Sequence, residues 1–192
     1  MESEREKWNR KFAEGSHPAG EPDPFLIESN ERYVVPAFPN GGRVLDVAGG
    51  LGRHALYYAR KGWQATLIDI SEVAAQRVTE IAEQEKLSLT IYTADLDAFR
   101  WRKWHEQFDL VLVFFYLQRQ LFPALADLLR NGGLLIYKTH LHSETNSNSA
   151  PSNPLHVLEP GELQRAFAEM GLLYYREHLT ERSTAELVAR KK

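Results

Sequence analysis

A glycine-rich turn and a carboxylate beyond it are the residues whose types and spacing best suit ligand chemistry in this chain. The turn, Asp46–Gly52, is Asp-Val-Ala-Gly-Gly-Leu-Gly and ends a predicted strand. Glycines allow a sharp turn and close approach of a ligand, and a following helix aims unpaired N–H groups at that ligand. Asp69 ends the next apolar run, where a carboxylate can accept the ribose hydroxyls of an adenosine cofactor. Together they predict such a cofactor.

A second acid follows the third predicted strand. The position of Asp95 suits a hydrogen bond to an adenine amino group, with Ile70 and Leu96 flanking the ring. A single aspartate after a strand is also a common turn residue, so both interpretations stay open.

The elements that must position these residues alternate between strands and helices. Strands are predicted over 43–47, 64–69, 87–93, 109–114 and 134–139, and helices over 52–61, 71–86 and 118–130. The turn Asn131-Gly132-Gly133 is expected to close the last of these helices in a left-handed cap. This alternation predicts an α/β fold with a parallel sheet. The runs 172–179 and 185–190 are too close for a crossover helix, so we expect an antiparallel hairpin and seven strands.

Length and composition limit the class of protein. The 192 residues suit one domain, with a helical cap over 1–40 (helices over 2–14 and 25–35, the second ended by Pro36 and Pro39) and a core over 41–192. The net charge of -3 without a basic stripe argues against nucleic acid as the main partner. The chain has no cysteine, a charged N-terminus and no apolar run that could span a bilayer. We therefore expect a cytoplasmic protein without a signal peptide, membrane contact or Cys-bound zinc.

The glycine run and the two acids resemble the class I methyltransferases that use S-adenosylmethionine (SAM). The family motif, hydrophobic-hydrophobic-Asp-x-Gly-x-Gly-x-Gly, corresponds to Val44–Gly52, except that Ala48 replaces the first glycine. The resemblance begins at Arg43 and includes Phe108-Asp109-Leu110-Val111 as the fourth-strand motif. It implies SAM as cofactor and a Rossmann-like three-layer sandwich with a mostly parallel sheet of strand order 3-2-1-4-5-7-6.

The resemblance also implies which residues bind the cofactor, including an aromatic wall beside the transferred methyl group. The expected set is Trp8, Asp46, Ala48, Gly49, Gly50, Gly52, Asp69, Ile70, Asp95, Leu96, Phe114 and Phe115.

Several segments outside that motif resemble the tellurite-resistance and thiopurine-type branch of small-molecule methyltransferases. They are Trp8–Phe12, His17-Pro18, Pro22–Leu26 and Leu158–Leu163. In that branch an N-terminal helix and loop close over the cofactor, which implies a role for Trp8. The expected acceptor is a small molecule such as a thiol or a chalcogen oxyanion.

Methyl transfer needs an acceptor in line with the methyl group and little water, so few protein groups are required. Tyr116 and His140 are candidates for a base, and Arg119 for contact with an anionic acceptor. Ordinary alternatives are packing for Tyr116, a solvated strand end for His140 and a surface charge for Arg119. The polar run Ser143–Ser152 is expected to be a mobile loop over the acceptor.

Two other functions stay open at this level. Gly50–Ala55 also fits the G-x-G-x-x-A pattern of NAD(P) oxidoreductases, and Tyr57 and Lys61 have Tyr-x-x-x-Lys spacing. Ala48 is compatible with a catalytically silent protein that binds SAM as a sensor or scaffold. A metal site at His140-x-His142 is not expected, because no carboxylate spacing completes it. Both a monomer and a homodimer are compatible with the sequence.

Overall fold

The computed structural model describes residues 2–15, 20–144 and 153–192. The predictions for His17-Pro18 and for most of the run 143–152 lie outside these ranges. No helix in the described part of the chain is long and apolar enough to cross a membrane.

Seven strands form one sheet in the order β3-β2-β1-β4-β5-β7-β6. Their bounds are β1 Arg43–Val47, β2 Gln64–Asp69, β3 Leu89–Thr93, β4 Phe108–Phe114, β5 Leu129–His140, β6 Gly171–His178 and β7 Thr184–Arg190. The pairs β1–β2, β2–β3 and β4–β5 are parallel, whereas β5–β7 and β6–β7 are antiparallel. The predicted α/β class, strand order and C-terminal hairpin are therefore confirmed.

The helices are short, apart from one of 14 residues between β2 and β3. They are α1 Glu4–Ala13, α2 Pro24–Ser29, α3 Val35–Ala37, α4 Arg53–Arg60, α5 Glu72–Glu85, α6 Phe122–Leu128 and α7 Glu162–Ala166. By its contacts the chain divides into two compact units, Met1–Arg100 and Trp101–Lys192, which are described separately below.

In the first unit, α4 and α5 cover the sheet with an apolar cluster of Ala55, Leu56, Leu67 and Val78. The N-terminal helix α1 begins with a capping box, in which the Ser3 and Glu6 side chains satisfy each other's backbone N–H groups.

The second helical segment was predicted to be ended by Pro36 and Pro39, and the helical chain ends at Ala37, between these two prolines. A π-helical turn, Asn30–Val34, comes just before α3. Such turns change the hydrogen-bond pattern, which allows a helix to accommodate a proline that has no N–H to donate.

In the second unit, the prediction that a helix extends to Arg130 and ends in a left-handed cap was wrong. Helix α6 ends at Leu128, and Leu129 is extended (φ -77°, ψ 138°) and begins β5. Leu129 is fully buried and pairs with Phe108 of β4, so sheet pairing outweighs local helix preference there. Gly132, at φ +80°, instead lies within β5, where its N–H donates to the Lys191 carbonyl at 2.9 Å.

Candidate functional site

The loop between β1 and α4 contains three residues, at alternate positions, with left-handed backbone geometry. Ala48, Gly50 and Gly52 have positive φ angles of 54°, 53° and 72°. For a residue with a Cβ this conformation costs about 1–2 kcal/mol, and Ala48 bears that cost where the family motif has glycine. At Gly49 a Cβ would lie 2.7 Å from the Asp46 carboxyl carbon. The loop therefore requires glycine at position 49 for space and tolerates alanine at position 48.

Asp46 lies beneath this loop and is almost fully buried. Its Oδ2 accepts the N–H of Ala55 at 3.1 Å, but its Oδ1 is buried without a hydrogen-bond partner among the described residues. Burial raises the pKa of this carboxyl to about 7, although the Ala55 N–H acts in the opposite direction. Asp46 therefore presents one unsatisfied acceptor at the glycine loop.

Asp69, at the end of β2, joins that strand to the same loop. Its Oδ2 accepts the N–H of Gly50 at 2.8 Å, and its Oδ1 accepts the N–H of Ser71 at 2.9 Å. Burial raises the pKa of Asp69, while these backbone hydrogen bonds act to lower it. Each carboxylate oxygen has two lone pairs, so both oxygens can accept a further donor such as a hydroxyl.

Asp95 and Leu96 follow β3 near the end of β2. The Ala94 N–H donates to the Asp69 carbonyl at 2.9 Å, which links the two strand ends. Leu96 is buried, whereas Asp95 is exposed and its Oδ1 accepts the Asp97 N–H at 3.0 Å. Asp95 thus has the geometry of a turn residue and still presents an exposed carboxylate. The half-buried Ile70 follows Asp69 directly.

Helix α1 contacts the glycine loop through Phe12. A Cβ on Gly50 would lie 3.1 Å from the Phe12 Cζ, and the rings of Phe12 and Trp8 are 5.6 Å apart. Asn9 accepts hydrogen bonds from the Ser71 hydroxyl at 2.7 Å and from the Val73 N–H at 3.3 Å. The resemblance implied that this helix lies over the cofactor, but no pattern in the sequence indicated the contact of Phe12 with Gly50.

His54 was not predicted as a site residue, and the structure gives it a structural contact. Its ring is buried, and its Nε2 accepts a hydrogen bond from the backbone N–H of Asp23, with 3.3 Å between the two nitrogens. Asp23 in turn caps α2 by accepting the Phe25 N–H at 2.9 Å. His54 therefore fixes the start of α2 against α4, a contact over 31 residues that no local pattern could reveal.

In the second unit, β4 ends at the predicted aromatic wall. Phe114 is buried, while Phe115 is 42% exposed and has a left-handed backbone (φ +57°). The Tyr116 hydroxyl donates to Gln118 Oε1 at 2.7 Å. The backbone carbonyl of Tyr116 accepts a hydrogen bond from the hydroxyl of the buried Tyr137 at 2.9 Å.

His140 lies at the end of β5 beside Phe115, with ring centres 5.2 Å apart. Its Nδ1 is buried and has no hydrogen-bond partner among the described residues. Burial lowers the pKa of His140 below its ordinary value, and the charge of Arg182 lowers it further. This shift favours the neutral form of the ring.

Arg119, predicted to contact an anionic acceptor, is bound to other groups of the protein. Its Nε and Nη2 donate to the Glu162 carboxylate at 2.6 and 2.9 Å, and Nη2 also donates to the Val157 carbonyl at 2.9 Å. This bidentate pair joins the start of the helical turn before α6 to α7. The structure thus brings Arg119 to Glu162 rather than to Tyr116 or His140.

Comparison with known proteins agrees with this arrangement. A family profile described as a methyltransferase domain matches residues 44–133, which includes the glycine loop, Asp69 and Asp95. This match supports a methyltransferase enzyme. A search of curated proteins found no significant match.

Solved structures share the fold of the methyltransferase domain at low sequence identity. TehB from Haemophilus influenzae has 20% identity and a TM-score of 0.68, covering 88% of this chain and 67% of its own. The 1,6-didemethyltoxoflavin-N1-methyltransferase of Burkholderia thailandensis has 15% identity and a TM-score of 0.72, with coverages of 98% and 87%. Magnesium protoporphyrin IX methyltransferase (ChlM) of Synechocystis PCC 6803 has 15% identity and a TM-score of 0.70, with 98% of each chain covered.

These observations add no support for two alternatives, an NAD(P) oxidoreductase and a metal site. The matches are to methyltransferases, so they add no support for an NAD(P) oxidoreductase. Within residues 2–15, 20–144 and 153–192, no three His, Asp or Glu side chains cluster closely enough to hold a metal ion.

Proposed function

We propose that this methyltransferase binds SAM at the glycine loop of its first unit and methylates a small molecule. The proposal rests on the hydrogen bond that the Gly50 N–H donates to Asp69 Oδ2 at 2.8 Å, and on the buried Asp46 Oδ1, which has no hydrogen-bond partner among the described residues. The methyltransferase domain that includes these residues, and the fold, imply SAM as the cofactor. Its sulfonium supplies an activated methyl group, so the protein needs to orient the reactants and exclude water.

The residues present fit this cofactor. Asp69 would accept the ribose hydroxyls, and charge-assisted bonds of that kind contribute about 1.5–3 kcal/mol each. The buried Oδ1 of Asp46 lacks a donor, and the ammonium group of the methionine moiety would supply one. Asp95, with its exposed carboxylate, would accept the adenine amino group between Ile70 and Leu96. A cation at Asp46 would favour its ionised form, and the carboxyl would then release a proton on binding.

Residues of the second unit are the candidates for acting on the acceptor. A neutral imidazole can accept a proton, so His140 is the proposed base for a hydroxyl or amine acceptor, and Tyr116 is an alternative. A thiol or chalcogen oxyanion would need no strong base. Phe114 and Phe115 stay the predicted wall beside the methyl group. We assign Arg119 a positioning role, because its guanidinium already binds Glu162 and the Val157 carbonyl.

We place the chain in the tellurite-resistance and thiopurine-type branch. TehB is among its structural neighbours, which supports this assignment at the level of the fold. The contact of α1 with the glycine loop also supports it, since Phe12 lies against Gly50. A thiol or a chalcogen oxyanion is therefore the proposed acceptor class.

Calorimetry with S-adenosylhomocysteine (SAH) and with NADH tests the cofactor. We expect SAH to bind at micromolar concentration and NADH not to bind, and absence of SAH binding at millimolar ligand would contradict the proposal. A radiolabelled-methyl screen against thiols, selenite, tellurite, phenols and small amines then tests the reaction. Tight SAH binding with no transfer to any acceptor would instead favour the silent sensor or scaffold.

A further inference from the structure

A chain of polar side chains crosses β5, β7 and β6 in the second unit. Glu186 on β7 is 6% exposed, and its two oxygens lie 3.0 Å from Lys138 Nζ and 2.8 Å from His178 Nε2. The Tyr174 hydroxyl also donates to this carboxylate, at 3.5 Å. Lys138 and Glu186 are directly paired in the sheet register, so they lie on the same face. The Lys138 side chain is therefore held in place by a buried carboxylate.

Lys138 also lies beside the exposed aromatic ring at the end of β4. Its Nζ is 5.8 Å from the centre of the Phe115 ring, and the His140 ring is 5.2 Å from the same centre. The Phe115 N–H donates to the Lys138 carbonyl at 2.8 Å, which fixes the backbone from which this ring projects. An ammonium group, a phenyl ring and a neutral imidazole thus form one cluster, which we call the Phe115 corner.

The conformation of Phe115 is not one that packing alone would favour. A left-handed backbone at a bulky residue is strained, and such strain persists mainly where function needs a side chain in one position. The ring that this strain positions is 42% exposed, so it contributes little buried apolar area to the core. An exposed ring held at an energetic cost points to contact with a ligand.

The charge around the Phe115 corner favours an anion. Lys138 and Arg176 both lie opposite Glu186 in the sheet register, and the charge of Arg182 acts on His140. Three basic side chains, Lys138, Arg176 and Arg182, are thus set against the single carboxylate of Glu186 among these residues, a balance that favours a bound anion.

We propose that Phe115, Lys138 and His140 recognise acceptors that combine an aromatic ring with an anionic group, and that Glu186 positions Lys138 for that contact. This rests on the proposed function, because the ligand is taken to be the methyl acceptor. A flat ring would pack on Phe115, while a carboxylate would pair with the Lys138 ammonium.

Fluorine NMR with three probes separates the two parts of this recognition. The probes are 4-fluorobenzoate (ring and charge), 4-fluorobenzyl alcohol (ring only) and trifluoroacetate (charge only), each titrated into the full chain with and without SAH. We expect 4-fluorobenzoate to bind at least about tenfold more tightly than either of the others. Equal binding of the benzoate and the alcohol would overturn the proposal.

Matched variants locate the preference in the molecule. Lys138→Met should abolish the preference for the benzoate over the alcohol, and Lys138→Arg should keep most of it. Lys191 is the control, because its Nζ pairs with Glu106 at 3.2 Å in the same unit with 19% of its side chain exposed. Lys191→Met should leave the preference unchanged, and loss of preference there as well would overturn the assignment to Lys138.

Two further variants keep the test valid if Lys138→Met fails to fold. Phe115→Leu should weaken benzoate binding and leave trifluoroacetate binding unchanged, and Glu186→Gln should reduce the benzoate-to-alcohol ratio without changing the affinity for the alcohol. An unchanged ratio in Glu186→Gln would contradict its positioning role. Failure of the proposed cofactor is recognised separately, as an absence of SAH binding in calorimetry.

Discussion

At the glycine loop, the carboxylates of Asp46 and Asp69 accept backbone N–H groups, whereas at the Phe115 corner the polar groups are held by side chains of other strands. The hydrogen bond of Asp46 joins residues 9 positions apart in the sequence, and the two hydrogen bonds of Asp69 join residues 2 and 19 positions apart. At the Phe115 corner, the register pairs Lys138 of β5 with Glu186 of β7. A site built on backbone geometry depends on the residues near it, while one built on paired side chains depends on the whole sheet.

The two regions also treat buried charge differently. Asp46 has one oxygen without a partner, so its ionised form is penalised by burial. Glu186 is buried to a similar degree but contacts a lysine and a histidine. Variants at each region should therefore produce effects of different origin, and the following predictions compare them from the largest effect to the smallest.

The largest expected effect is a pH dependence of stability caused by Asp46. Its pKa is about 7 in the folded protein against an ordinary 3.8, so the folded state holds a proton that the unfolded state loses. Its contribution to the free energy of unfolding should fall as the pH rises from about 4 to about 7, by roughly 4 kcal/mol in total.

Urea unfolding of the wild type and of Asp46→Asn across this pH range measures that contribution. The asparagine variant cannot titrate at this position, so its profile should lack the decline that Asp46 causes. Superimposable profiles for the two proteins would show that the buried carboxyl is not protonated in the folded state.

Gly52 tests how strictly the loop geometry is required. A Cβ at Gly52 would lie 2.9 Å from Val78 Cγ2, in a backbone with φ +72°. Gly52→Ala should cost about 3 kcal/mol of unfolding free energy, because strain and overpacking add. Gly62→Ala is the matched control, since φ is +82° there and no atom lies within 4 Å of the added Cβ.

That control should cost only about 1 kcal/mol in the same urea experiment. If both glycine variants lose equal stability, crowding against Val78 contributes nothing, and the loop is less tightly packed than the structure indicates.

Glu186 tests the side-chain network of the second unit. Glu186→Gln leaves Lys138 without its carboxylate at a position where 15% of the lysine side chain is exposed, so we expect a loss of about 2 kcal/mol. The double variant with Lys138→Met should recover part of this loss, because no buried charge then lacks a partner.

Glu106→Gln provides the comparison for this network, because Glu106 pairs with Lys191 but 46% of its side chain is exposed. It should cost less than about 0.5 kcal/mol in thermal or urea unfolding. Additive losses in the Glu186 and Lys138 double variant would argue against coupling between those two residues.

The smallest expected effect is a gain of stability at the position where the chain departs from the family motif. Ala48 has φ +54°, so Ala48→Gly should relieve backbone strain and stabilise the protein by about 0.5–1 kcal/mol. A decrease in the unfolding midpoint for this variant would show that the alanine methyl group makes a packing contact that outweighs the strain.

The same contrast explains which features the sequence could predict. The predicted bounds of β1 and β2 are those observed, because glycines precede both strands, the glycine loop follows β1, and Ser71, the N-cap of α5, follows β2 closely. The predicted end of α6 was wrong, because Leu129 pairs with β4 and local helix propensity does not indicate such pairing. The neighbours of Arg119 and Lys138 come from distant strands and helices, so no spacing in the sequence indicated Glu162 or Glu186.

The most direct test of the cofactor assignment is calorimetric SAH binding to the wild type and to Asp69→Ala. Asp127→Asn serves as the control, because Asp127 is an exposed acid in the second unit. The Asp69 variant should bind SAH about 100-fold more weakly, since two hydroxyl contacts are lost, while the control should bind like the wild type. Unchanged SAH affinity in Asp69→Ala would contradict the assignment of the glycine loop and Asp69 as the cofactor site.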